Sequence, residues 1–133
     1  MGVKRVTVHC VDIEDKPGSL HRFLSQSNLS GVDYLCFEAF SCGSNRSRVV
    51  VGVKNPEAFE AFVQEAGIKA TVAAGFLVDG EDRLGEAAKI IAKLAENDIG
   101  GIACAAIAHG GQFHMLIVVD AKNADRTHKA LCD

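Results

Sequence analysis

From Arg5 to Ile13 apolar and polar positions alternate, with Val6, Val8 and Cys10 on one side and Arg5, Thr7 and His9 on the other. That period of two predicts a first strand. After Asp15-Lys16-Pro17-Gly18 the period changes: Leu20, Phe23, Leu24 and Leu29 form a helical stripe that breaks at Ser30-Gly31, where Gly31 suits a C-cap. Tyr34 to Ser41 is aromatic and apolar, Cys42-Gly43-Ser44-Asn45 is a cluster of turn residues, and Ser47 to Val53 is β-branched. Together they predict a hairpin. Asn55 can then cap a helix whose first position suits Pro56, and in which Phe59, Phe62, Val63 and Ala66 recur at helical spacing before Gly67 closes it.

The same order returns in the second half. Thr71 to Val78 reads as a strand, and Leu84 to Asn97 as a helix with Ala87, Ile90, Ile91 and Leu94 on one face. Ile102 to Ala108 and Phe113 to Val119 flank a Gly110-Gly111 turn, and Ala124 to Leu131 makes a weak final helix with little to bury. The stretch Val11 to Gly18 comes back sixty-seven residues later as Val78 to Gly85, and the same offset carries Gly43 onto Gly110 and Val49-Val50-Val51 onto Leu116-Ile117-Val118. A constant offset across separate segments predicts a unit used twice, residues 1–68 and 69–133, each βαββα.

The expected fold class is α+β, a ferredoxin-like tandem with an antiparallel sheet and helices on one face. Neither half has the fourth strand of a split βαβ sheet, so the two first strands are expected to fill each other's empty place in one six-stranded sheet. The face without helices would show Tyr34, Cys36, Phe40, Val50, Leu116 and Val118, according to register. We expect a second subunit to cover that face or a sheet edge.

Composition narrows the function classes. The 133 residues are 48% hydrophobic and 23% charged, with a formal charge of −3, which gives no electrostatic footprint for nucleic acid or an anionic membrane. Met1 leads straight into a polar and apolar alternation with no apolar leader, so a cytoplasmic protein is expected. Five cysteines with no Cys-x-x-Cys pair predict buried free thiols in a reducing compartment. The histidines His9, His21, His109, His114 and His128 have no ligand-like spacing, and no Ser or Cys is placed beside a base. Arg46, Arg48 and Lys54 read most simply as a solvated edge.

The acidic turn carries the candidate chemistry. Pro17 fixes φ, Gly18 lets a ligand approach the backbone, and free N–H groups at the helix start can hold a carboxylate. Asp15 or Asp33 can accept from an α-ammonium group; the plainer reading is that Asp15 only caps the helix.

Tandem βαββα units that open with Asp-Lys-Pro-Gly-Ser-Leu, with Gly31-Val32-Asp33 after the first helix, resemble ACT domains, and in particular the short free-standing double-ACT proteins. The resemblance covers nearly the whole chain. It implies a non-catalytic regulatory protein, without cofactor, that binds an amino acid between two units. The site residues it implies are Ile13, Asp15, Lys16, Pro17, Gly18 and Ser19 in the first turn and Asp33 at the second strand. In the second copy they are Asp82 and Gly85, with Leu84 in place of proline and Gly100-Gly101 in place of a polar strand start, so a full second site is not expected. Implied partners are the amino acid effector, a second copy in a homo-oligomer such as a dimer, and a metabolic enzyme, with no nucleic acid and no membrane. The alternatives are a ligand-free oligomerisation or docking module and, behind it, a small metal-binding protein or enzyme.

Overall fold

The structure is a computed structural model and describes all 133 residues. In chain order the elements are β1 (Gly2–Glu14), α1 (Ser19–Leu29), β2 (Tyr34–Gly43), β3 (Arg46–Val53), α2 (Pro56–Ala66) and β4 (Ala70–Glu81). They continue with α3 (Glu86–Glu96), β5 (Ala103–His109), β6 (Gln112–Val119), a 3-10 turn at Ala121–Asn123 and α4 (Ala124–Cys132). The chain forms two compact units, residues 7–72 and residues 1–6 with 73–133.

In the first unit β3 lies between β2 and β1 in antiparallel pairs, and the opening residues of β4 neighbour β1. Directly opposed residues share a face, so His9–Val51, Val11–Val49 and Ile13–Ser47 point the same way. On that face Phe23 of α1 and Phe59 and Phe62 of α2 close a core over Val11, Val49, Val51 and Val53. The three rings meet at centroid distances of 5.8 to 6.4 Å in edge-on or tilted geometry, the arrangement that suits aromatic quadrupoles. The β-branched run that makes β3 stiff also supplies most of its buried surface.

The second unit is built alike, with β6 between β4 and β5 and with Gly2–Val6 beside β4. The pairs Phe76–Ile117 and Val78–Met115 face Ile90 and Leu94 of α3 and Ala130 and Leu131 of α4. Although short of large apolar residues, α4 buries Ala124, Thr127, Ala130 and Leu131. The Thr127 hydroxyl donates to the Asn123 carbonyl at 2.8 Å, which removes the cost of burying it. In each unit, then, the strand that a βαββα segment lacks is supplied by residues outside that segment.

Several expectations are corrected. The sixty-seven-residue offset holds through β2 and β5 but falls to sixty-six in the third strands. Val11 pairs with Val49, and its counterpart Val78 pairs with Met115, not Leu116. The cause is a β-bulge between Ser41 and Gly43, which gives the first hairpin one residue more than the second. Gly43 therefore corresponds to His109. Val50, Leu116 and Val118 are already buried within a single chain, so they need no second copy to cover them, and Tyr34 packs on the helix-covered face. None of the five cysteines is fully buried: Cys10 and Cys36 are half-buried and the other three exposed. Asn55 does not cap α2 through its side chain; its Nδ2 donates to the Gly31 carbonyl at 2.7 Å and its Oδ1 accepts from the Asp33 N–H at 3.0 Å. Arg46, Arg48 and Lys54 are solvated as expected, and within that exposed surface the two arginines pair with Asp12 and the lysine with Asp33.

Candidate ligand-binding site

The turn after β1 wraps tightly because its backbone bonds to itself and to the first hairpin. The Asp15 N–H donates to the Asn45 carbonyl at 3.0 Å, and the Ser19 N–H donates to the Lys16 carbonyl at 3.2 Å. Gly18 sits at φ 91°, a left-handed geometry that a side chain resists, and a Cβ there would meet no atom within 4 Å. The glycine answers a backbone requirement and not a close neighbour.

The Asp15 carboxylate turns away from the helix. It accepts from the Ser41 hydroxyl at 2.5 Å on Oδ2 and from the Ser47 hydroxyl at 2.9 Å on Oδ1. Asp15 therefore ties the turn to β2 and β3, and α1 begins with no capping side chain. The Ser41 hydroxyl, then that of Ser47, holds the Asp15 carboxyl below its ordinary pKa, burial opposing. Lys16 is engaged by Glu14 at 3.1 Å. Between turn and hairpin lies a cavity of about 210 Å³ bounded by Ile13, Asp15, Lys16, Ser19, Ser41 and Ser47. Ser19 is 8% exposed, and its Oγ is a buried hydroxyl with no hydrogen-bond partner. An orphaned hydroxyl in the wall of a cavity carries a desolvation cost that a ligand would relieve.

Of the residues expected at the site, Ile13, Asp15, Lys16 and Ser19 line this cavity, while Pro17 and Gly18 shape the turn without lining it. Asp33 lies elsewhere in the unit, its carboxylate 3.2 Å from Lys54 Nζ. Ser41, Ser47, Ala39 and Phe40 are wall residues that the sequence did not single out.

The second unit has a cavity at the matching place, bounded by Asp82, Arg83, Leu84, Gly85, Ala108 and Phe113 among others, of about 740 Å³. Asp82 repeats the backbone bond of Asp15, its N–H donating to the Gly111 carbonyl at 3.0 Å, and Gly85 repeats the left-handed φ at 88°. Ala108 and Phe113 stand where the first unit has Ser41 and Ser47, so no hydroxyls converge on Asp82 from these positions. Arg83 pairs with Glu81, and Leu84 is fully exposed. This hollow is wider and lacks the two serine hydroxyls.

No cluster of three or more His, Cys, Asp or Glu side chains is arranged to hold a metal ion, and no helix is long and apolar enough to cross a membrane.

No family model matches the sequence, nor does any curated protein. Solved structures do match in shape. A protein from Bacteroides thetaiotaomicron superposes with a TM-score of 0.76 at 12% identity, over 98% of this chain and 88% of that one. The ligand-free regulatory subunit of aspartate kinase from Thermus thermophilus gives 0.63 at 17% identity, over 99% and 95%. The corresponding subunit from Thermus flavus gives 0.65 at 18%, over 99% and 95%. At these identities the likeness establishes a fold, and the fold is ACT-like.

Proposed function

We propose that this chain is a non-catalytic regulatory protein of two ACT-like units, residues 1–68 and 69–133, that binds a small amino acid at the turn of the first. It acts in the cytoplasm through its own assembly or on a metabolic enzyme. The carrying observation is the unpartnered, buried Ser19 hydroxyl in a cavity that also presents the Asp15 carboxylate. A ligand carboxylate would accept from Ser19 and from N–H groups at the start of α1, where the helix dipole favours negative charge. Each Asp15 oxygen keeps a free lone pair beside its serine bond, which suits an α-ammonium group. The cavity is smaller than the roughly 300–1,000 Å³ of drug-sized sites, so a small side chain fits best. The shared fold with aspartate kinase regulatory subunits supports a regulatory reading.

Ser19→Ala separates function from stability. It removes a buried unsatisfied group, so the fold should lose nothing, while calorimetric titration with glycine, serine and alanine should show weakened binding of the best ligand. Unchanged binding would remove Ser19 from the site and the carrying observation with it.

A second reading is a docking module without ligand. Phe37 and Phe40 on the edge strand β2 are 49% and 44% exposed, large apolar surface to leave in water on an unpaired edge. Sedimentation that shows one oligomer, indifferent to every amino acid, favours it.

A further inference from the structure

The two units differ at one core position in a way that leaves space in the second. In the first, the Tyr34 ring packs against the core beside α1, and its hydroxyl donates to Ser27 Oγ at 2.8 Å. Ser27 passes the bond on to the Leu24 carbonyl at 2.9 Å. Sixty-seven residues further on these three positions are Gly101, Leu94 and Ile91. The backbone confirms the match: the Val32 N–H donates to the Ser27 carbonyl and the Ile99 N–H to the Leu94 carbonyl, each at 3.0 Å. Gly31 and Asp98, at φ 85° and 54°, make the same left-handed turn before them.

The second unit has no ring to put there. Between α3 and β5 it has an apolar cavity of about 370 Å³, bounded by Ile91, Leu94, Ile99, Gly101, Ile102 and Ile117. We propose that this cavity binds a small molecule through an apolar aromatic ring, seated where the Tyr34 ring sits in the first unit. Apolar cavities of about 150 Å³ already admit benzene and stay free of water, so a ring with a short substituent has room. Its far end would meet Leu94 where the tyrosine hydroxyl meets Ser27, which selects a phenyl group over a phenol. The Ile102 N–H is already donated to the Val118 carbonyl at 2.7 Å, so it offers no competing polar anchor. Ile91 and Ile102 are 40% and 50% exposed and mark the mouth through which a substituent would leave. This proposal stands apart from the turn site, which uses other residues in the other unit.

Toluene and hydroquinone, titrated into the whole chain and followed by amide chemical shifts, test it. The expected result is saturable toluene binding, one per chain, with shifts centred on residues 91–104, and hydroquinone about tenfold weaker because one of its two opposed hydroxyls must be buried unpaired. Gly101→Phe supplies the ring from within: Gly101 is outside the left-handed region, and its Cβ would meet only the Val118 carbonyl oxygen at 3.7 Å. That variant should melt at a higher temperature and lose toluene binding. Ile91→Trp, at the half-exposed mouth, should fold normally and weaken toluene binding. Absence of saturable toluene binding in the parent chain overturns the proposal, as does hydroquinone binding as tightly as toluene, or undiminished binding in Ile91→Trp or a folded Gly101→Phe.

Discussion

Phe113 lies across Gly80, its directly opposed partner, so closely that a Cβ on the glycine would come within 2.9 Å of the ring's Cε1. The matching pair in the first unit is Ile13 opposite Ser47. Large and small have changed places across the same two strands, so each pair fills its space by a different division of volume. Gly80→Ala should therefore destabilise by about 1–3 kcal/mol in urea unfolding, the usual cost of overpacking. Gly80→Ile with Phe113→Ser, which copies the first unit, should recover much of the loss of Gly80→Ile alone. A double variant no better than the sum of its parts contradicts the exchange.

His9 gives a pH-dependent prediction. It is 1% exposed, its ring lies 4.7 Å from that of Phe59, and neither ring nitrogen has a hydrogen-bond partner. Burial pushes its pKa below the ordinary 6.5, with the nearby Glu60 carboxylate at 3.8 Å opposing the shift. The unfolded chain then binds a proton more readily than the folded one, so stability is full above pH 6.5 and falls as the pH drops toward the folded pKa. The second unit has the fully buried Phe76 at this place. His9→Phe should flatten the fall in melting temperature on the acid side, and an unchanged slope would assign it to other groups.

Asp15 works in the same sense at lower pH. Its folded pKa lies below the ordinary 3.8, so its contribution is present above that value and disappears as the pH falls through the folded pKa. Removing both hydroxyls, by Ser41→Ala and Ser47→Ala, should return the carboxyl titration, read by NMR, toward the ordinary value. A titration that stays low would mean that the serines are not the cause.

A period of two or 3.6, which follows directly from which face is buried, announced β1 and the helices, while apolar and β-branched runs on either side of turn residues announced the two hairpins. What they did not announce depended on register. Cys42-Gly43-Ser44-Asn45 all look like turn residues, so nothing in the sequence told that the bulge consumes one of them and shifts Val49 onto Met115. Without that shift Ser47 could not be set against Phe113, nor Ser41 and Ser47 be seen to converge on Asp15. The turn residues Ile13 to Ser19 were legible because a proline and a glycine mark the backbone they require. Asp33 was expected with them, but its carboxylate pairs with Lys54 away from the cavity, a placement that depends on contacts outside its own turn.

The most direct test of the turn site is a thermal-unfolding panel of the twenty amino acids on the parent chain and on Ser19→Ala. A ligand at a hundred times its Kd adds about 2.7 kcal/mol to the native state. The account predicts a shift for one or a few small amino acids in the parent chain, and a reduced shift in Ser19→Ala at undiminished intrinsic stability. A flat panel, or a shift that Ser19→Ala leaves intact, would contradict it.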